Sequence, residues 1–154
     1  MVEESLAWLD ATHLDKNGKV TVNRGPRHPH LGMALDCTLP GRVIIDMSKC
    51  VTEMVEEFGV TCSGSTIPCP WTDKSFDVDD KSPVLSEAKA ETFHTFVAKS
   101  LFVSTRGRPD IQPAVAFLCA RVQKPTQQDW NKLTKLMKFL KSTKMDVLLS
   151  LIHI

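Results

Sequence analysis

The chain has 154 residues, 42% of them hydrophobic and 24% charged, which fits one globular domain or two small ones and excludes a disordered or fibrous chain. No apolar run approaches the ~20 residues that cross a bilayer. Glu3, Glu4, Asp10 and Asp15 stand where a signal or transit peptide would be basic or apolar, so the expectation is an intracellular, cytoplasmic protein with no membrane partner.

The formal net charge of +1 hides an asymmetry. Residues 1–105 carry ten basic and fifteen acidic side chains, whereas 106–144 carry nine basic ones against Asp110 and Asp129. A local positive field suits a polyanionic partner, and lysines on a solvated helix face give the same pattern. The five cysteines, Cys37, Cys50, Cys62, Cys69 and Cys119, are odd in number and lack a secretory context, so they read as reduced thiols. The nearest pair, Cys62 and Cys69, is too widely spaced for a zinc ligand pair, and no metal site is expected.

In chain order, residues 3–10 read as the end of a helix. Asp15-Lys16-Asn17-Gly18 is a turn signal ahead of the alternating run KVTVNR (19–24). That region is a poor calcium loop, because His13 and Arg24 occupy the first and last ligand positions. HLGMALDC (30–37) alternates again and is taken as one strand. A Pro-Gly turn at 40–41 leads to RVIIDM (42–47), which predicts a small antiparallel sheet of about three strands. Ser48 is predicted to cap a helix that buries Val51, Met54, Val55 and Phe58 and ends at Gly59.

Residues 60–85 are rich in Ser, Thr, Pro and Asp, with Trp71 as the one large anchor, and predict a linker or extended strap. Its Asp77, Asp79 and Asp80 superficially suggest a metal-binding pair. Polar flanks and Pro83 deny them the tight apolar hairpin that a two-metal site needs.

A three-helix bundle should follow. The first helix starts at Ser86, carries a Phe93, Phe96, Val97, Leu101 stripe, and stops before Arg108-Pro109. Asp110 is the predicted N-cap of the second, which buries Val115, Leu118, Cys119 and Val122 and is broken by Pro125. Thr126 and Asp129 form a capping box for the third, whose Trp130, Leu133, Met137 and Leu140 point inward. At 100° per residue, Lys135 and Lys138 fall opposite that stripe and Lys141 near its edge. The fold class is therefore α+β: a small antiparallel sheet with one helix, then a three-helix bundle.

The Leu31-Gly32-Met33 run, the RVIIDM strand after a Pro-Gly turn, and the helix MSKCVTEMVEEFG resemble the end of the reverse-transcriptase palm in copia-type retrotransposon polyproteins. Arg108-Pro109-Asp110-Ile111, Pro125, Trp130 and the Leu140-Lys141-x-Thr143 ending resemble the helical segment that follows there, so that the likeness covers residues 18–147. Cys50 departs from the aromatic residue frequent in that family. The resemblance implies a piece of an RNA-directed DNA polymerase, with residues 1–59 as palm, 60–85 as linker and 86–148 as thumb or connection. It places the hairpin of Leu31, Gly32 and Met33 where the primer end is positioned, and Lys135 and Lys138 on a thumb that contacts the duplex. The implied partners are an RNA/DNA template-primer duplex and the upstream palm and downstream ribonuclease H domains of the same polyprotein. The parent enzyme would use Mg2+ held by a Tyr-x-Asp-Asp hairpin. This sequence has no tyrosine at all, so the fragment is expected to lack that pair, to hold no cofactor and to be inactive alone. A non-catalytic nucleic-acid-binding module, or a non-functional element remnant, is the alternative. The ending LSLIHI (149–154) back-translates to CTG TCT CTT ATA CAC ATC, resembles the mosaic end of transposase-based sequencing libraries, and is expected to stand outside the fold as adapter read-through.

Overall fold

The computed structural model describes residues 2–13, 22, 24–60 and 67–151. The elements are α1 (Val2–His13), β1 (Arg27–His30), β2 (Met33–Asp36), β3 (Arg42–Asp46), α2 (Ser48–Phe58), α3 (Glu87–Arg106), α4 (Gln112–Cys119), α5 (Gln127–Ser142) and β4 (Leu148–Leu151). This is the expected α+β class. The Asp15–Gly18 turn, most of the 19–24 strand, and Cys62 lie outside the described residues. Among those described, no helix is long and apolar enough to cross a membrane.

The sheet is antiparallel in the order β1-β2-β3-β4. Its first hairpin departs from the expected single strand over 30–37. Residues Arg27–His30 pair with Met33–Asp36, His30 opposite Met33, so Leu31 and Gly32 form a two-residue turn. Both have positive φ, 48° and 79°, the handedness that lets a tight turn match the right-handed twist of its strands. Pro29 is tolerated because β1 is an edge strand. Arg27 Nε donates to Asp36 Oδ2 at 2.9 Å across the ladder, and the Thr38 N–H donates to Asp36 Oδ1 at 2.9 Å.

The fourth strand is a second departure. Leu148–Leu151 pairs with β3 in the register Ile45 to Leu148 and Arg42 to Leu151, so residues 149–151 belong to the sheet. The segment Leu-Leu-Ser-Leu beside the open edge of β3, half-buried and exposed in alternation, satisfies the backbone groups that edge would otherwise leave bare.

Helix α2 begins differently from expectation. The N-cap is Met47, which offers no side-chain cap bond; Ser48 is itself helical, and its N–H is taken by Asp46 Oδ1 at 2.7 Å. Gly59 ends the helix in the left-handed region at φ 72°, its N–H donating to the Glu56 carbonyl. The buried face of Val51, Met54 and Val55 packs on α5 and α3, so one apolar cluster runs from Met47 to Leu140. Of the strand residues, Met33 packs against it. Cys50 is half-buried, and burial above all, followed by the nearby Glu53, pushes its thiol pKa up, which makes it a poor nucleophile.

In α3, Phe93, Phe96 and Val97 are buried as expected, but Leu101 is 43% exposed. The stripe continues instead through Ser100, Val103 and Ser104. The serines can be buried because each hydroxyl donates to a carbonyl one turn back: Ser100 Oγ to Phe96 at 2.7 Å, and Ser104 Oγ to Leu101 at 2.9 Å. Gly107 follows the helix, and a Cβ there would stand 2.8 Å from Met47 Cγ and Sδ. Gly107→Ala should therefore cost about 1–2 kcal/mol in a urea melt, because Met47 must move inside a packed core. A loss below a few tenths would mean that Met47 relaxes freely.

Between α3 and α4 the chain makes a 3-10 turn, Pro109–Ile111, and Asp110 does not cap α4. Its carboxylate is taken by Arg108. Val115 and Leu118 are buried while Cys119 and Val122 are only half-buried, and α4 ends at Cys119, well before Pro125. The Thr126–Asp129 capping box forms as expected. Leu133, Met137 and Leu140 are fully buried with Leu136 beside them, while Trp130 is half-buried and stacks on Phe58 at 5.4 Å.

Candidate nucleic-acid interface

Helix α5 owes its outer face to its sequence. Over Gln127–Ser142 it has four lysines, and its one acidic residue, Asp129, is fully buried. Every outward charge on the helix is therefore positive. The four ammonium groups nevertheless differ in what they touch.

Lys132 Nζ lies 4.4 Å from the centroid of the Phe117 ring and donates to the Asp77 carbonyl. Desolvation lowers its pKa; Asp129 pulls back, Arg121 pushes the same way as burial, and Asp77 opposes it. Lys141 Nζ donates to the Val60 carbonyl at 2.6 Å and ties α5 to the end of α2. Lys135 and Lys138, by contrast, make no hydrogen bond or ion pair with any described residue. Both are half-buried, so their stems lie along the helix surface and their charged ends reach water.

The other expected contacts form a separate place. Leu31 is 63% exposed at the apex of the β1–β2 turn. With Gly32 and Met33 it borders a groove of about 330 Å3 completed by Pro29, His30, Ala34, Asp46, Ser48 and Lys49. A Cβ on Gly32 would meet nothing within 4 Å, so this glycine is required by its φ of 79° and not by close packing. His30 and Lys49 bring cationic or donor groups that spacing alone did not single out, because they approach through the turn and the first turn of α2. The groove shares no lining residue with the cleft of Pro70, Ser75, Phe117, Lys132 and Lys135. Leu31, Gly32 and Met33 thus make one patch, and Lys135 with Lys138 another.

Asp77, Asp79 and Asp80 lie exposed on the segment that crosses α4 and α5. Among the described residues, no three His, Cys, Asp or Glu side chains converge where a metal ion could sit.

Arg108, Asp110, Ile111, Pro125, Leu140 and Thr143 hold the fold together. Arg108 is 2% exposed and donates from Nε and Nη2 to the two carboxylate oxygens of Asp110, at 3.0 and 2.8 Å. The same guanidinium donates at 2.8 Å to both the carbonyl and the hydroxyl of Thr143. Ile111 and Leu140 are fully buried, and the Pro125 carbonyl accepts the Leu85 N–H. These residues fix how α3, α4 and α5 meet.

No protein-family model matches the sequence, and no solved structure is detectably similar to it. A protein of Arabidopsis thaliana, the uncharacterized mitochondrial protein AtMg00810, is 27% identical over 120 residues. That stretch covers 77% of this chain and 47% of the relative, so the match spans about half of that protein's length.

Proposed function

We propose that this chain is a transposable-element-derived piece of an RNA-directed DNA polymerase of copia type, which grips a template-primer duplex and does not carry the catalytic aspartates. The observation that carries the reading is the pair of uncommitted ammonium groups, Lys135 and Lys138, on a helix face without outward carboxylates. Such a face neutralises phosphates and releases their counterions, which favours binding without selecting a sequence. The β1–β2 groove is the second contact, where Leu31 and Gly32 at the apex and Met33 beside them would meet the primer end. The order of motifs from Leu31-Gly32-Met33 to Thr143 supports the copia assignment, and the distant relative is consistent with a longer parent protein.

The purified chain should bind a labelled RNA–DNA duplex with an affinity that falls as salt rises, and should add no nucleotides to a primed template in Mg2+. Polymerisation by the chain alone would overturn the fragment reading. Salt-independent binding, or none at low salt, would overturn the duplex grip. Binding without any preference for a primer end over blunt duplex would favour the alternative of a non-catalytic nucleic-acid-binding module, because the hairpin groove would then contribute nothing.

A further inference from the structure

The segment 67–85, expected from composition to be a linker or strap, is seated on α4 and α5 along much of its length. The Leu85 N–H donates to the Pro125 carbonyl at 3.0 Å, and the Gln127 N–H to the Pro83 carbonyl at 2.9 Å. Val84 forms an isolated bridge with Thr126. Ser82 Oγ accepts the Gln128 N–H at 3.0 Å, and Gln128 Oε1 accepts the Asp79 N–H at 3.0 Å. Farther back, Phe76 packs edge-on against Phe117 at 5.8 Å and tilts against Trp71 at 5.9 Å.

This docking sets the strap's acidic run beside the basic helix. Asp77 meets Lys132 through its carbonyl, and Asp79 stands at Gln128, one helical turn before Lys132. Pro70 and Ser75 share a cleft with Lys132 and Lys135. Asp77, Asp79 and Asp80 are all exposed, so their carboxylates add negative potential over the first half of α5 while leaving Lys138 outside.

We infer that the Asp77–Asp80 run is an internal competitor that excludes a polyanion from the Lys132 end of α5 and confines it to the Lys135–Lys138 end. The inference rests on the duplex-binding reading above and goes beyond it by assigning a role to residues outside the grip. A nucleic-acid strand following the helix would otherwise extend over Lys132 as well. The carboxylates bias it toward the far end, so the strap sets both the affinity and the register of the bound phosphates.

The test compares the full chain with Asp77→Asn/Asp79→Asn/Asp80→Asn, using a short fluorescent DNA duplex and an RNA–DNA hybrid across a salt series. Asn at 79 can still accept the Lys81 N–H that Asp79 Oδ1 now holds at 3.0 Å, so the local turn survives. A charge-matched control, Glu56→Gln/Glu57→Gln/Glu91→Gln, carries the same change in net charge on α2 and α3, away from both patches. The strap variant should bind about three- to tenfold more tightly with a steeper salt dependence, and the control should change less than twofold. If the triple variant does not fold, Asp77→Asn/Asp80→Asn, whose carboxylates accept no hydrogen bond from a described residue, should show the same direction. Equal tightening in the strap variant and the control would overturn the inference, since net charge alone would explain it. Unchanged affinity of the strap variant beside a binding wild type would overturn the inference and leave the grip standing. Binding by the variant alone would support it in its strongest form. No binding by any chain at low salt would sink both.

Discussion

Arg108→Ala should unfold this protein at a distinctly lower denaturant concentration, with a loss of about 2–4 kcal/mol. The guanidinium is buried; two of its four hydrogen bonds hold Asp110 within the turn before α4, and the other two tie that turn to Thr143 at the end of α5. Removing it leaves the Thr143 carbonyl without its donor and opens a space beside Phe139, over whose ring the guanidinium carbon now sits at 5.7 Å. The cost stays below that of a fully buried ion pair because Asp110 is 43% exposed and can be rehydrated. Asp146, 4.0 Å from Nη2, is more exposed still. Arg108→Lys should recover only part of the loss, since a single ammonium cannot replace a fork that faces a carboxylate on one side and Thr143 on the other. For a domain of this size the alanine variant should melt roughly 5–15 °C lower. A loss under about 1 kcal/mol would show that α5 is held without this clamp.

Asp129→Ala is the second large effect, at about 1–3 kcal/mol. Asp129 Oδ2 accepts the Thr126 N–H and hydroxyl at 2.9 Å each and the Arg121 Nε–H at 3.5 Å, while Oδ1 is buried without a partner among the described residues. Two opposing terms decide the size. Losing the cap frees the start of α5 and the strap strand bridged to Thr126, whereas losing a carboxylate with one unsatisfied buried oxygen returns part of a desolvation cost. The cap term should win, because the Gln127 N–H and the Val84 bridge both depend on the position of residue 126. Equilibrium urea unfolding measures it; a variant as stable as wild type would mean that the unsatisfied oxygen cancels the cap.

The helices were legible wherever a spacing and a local stop signal agreed. In α5 the capping box and the inward residues Leu133, Met137 and Leu140 are all local information, and each stands where periodicity puts it. Expectation failed where one residue could fill two roles. Ser48 and Asp110 are the cap types that local sequence offers for α2 and α4, yet Ser48 lies inside its helix with its N–H on Asp46, and Asp110 pairs with Arg108. Only the folded arrangement decides these partners. An apolar stripe points to Leu101, yet Ser100 is the buried residue because a serine that satisfies its own hydroxyl is buried readily. The Leu31–Gly32 turn was hidden inside an alternating run because leucine is seldom found at positive φ.

The candidate site divides along the same line. That Lys135 and Lys138 face away from the stripe follows from helix geometry. That Lys132 and Lys141 are already engaged does not, since their acceptors are backbone carbonyls of Asp77 and Val60, far off in sequence and without a chemical signature. Contact with nucleic acid leaves still less trace, because phosphate binding asks for positive charge and little else.

The most direct test of the proposed grip is the salt dependence of duplex binding by the full chain and by Lys135→Ala/Lys138→Ala. The wild type should lose affinity steeply with salt, and the double variant should bind more weakly with a slope of log K against log salt shallower by about 1–2. An unchanged slope and affinity in the double variant would contradict the assignment of α5 as the duplex-binding face.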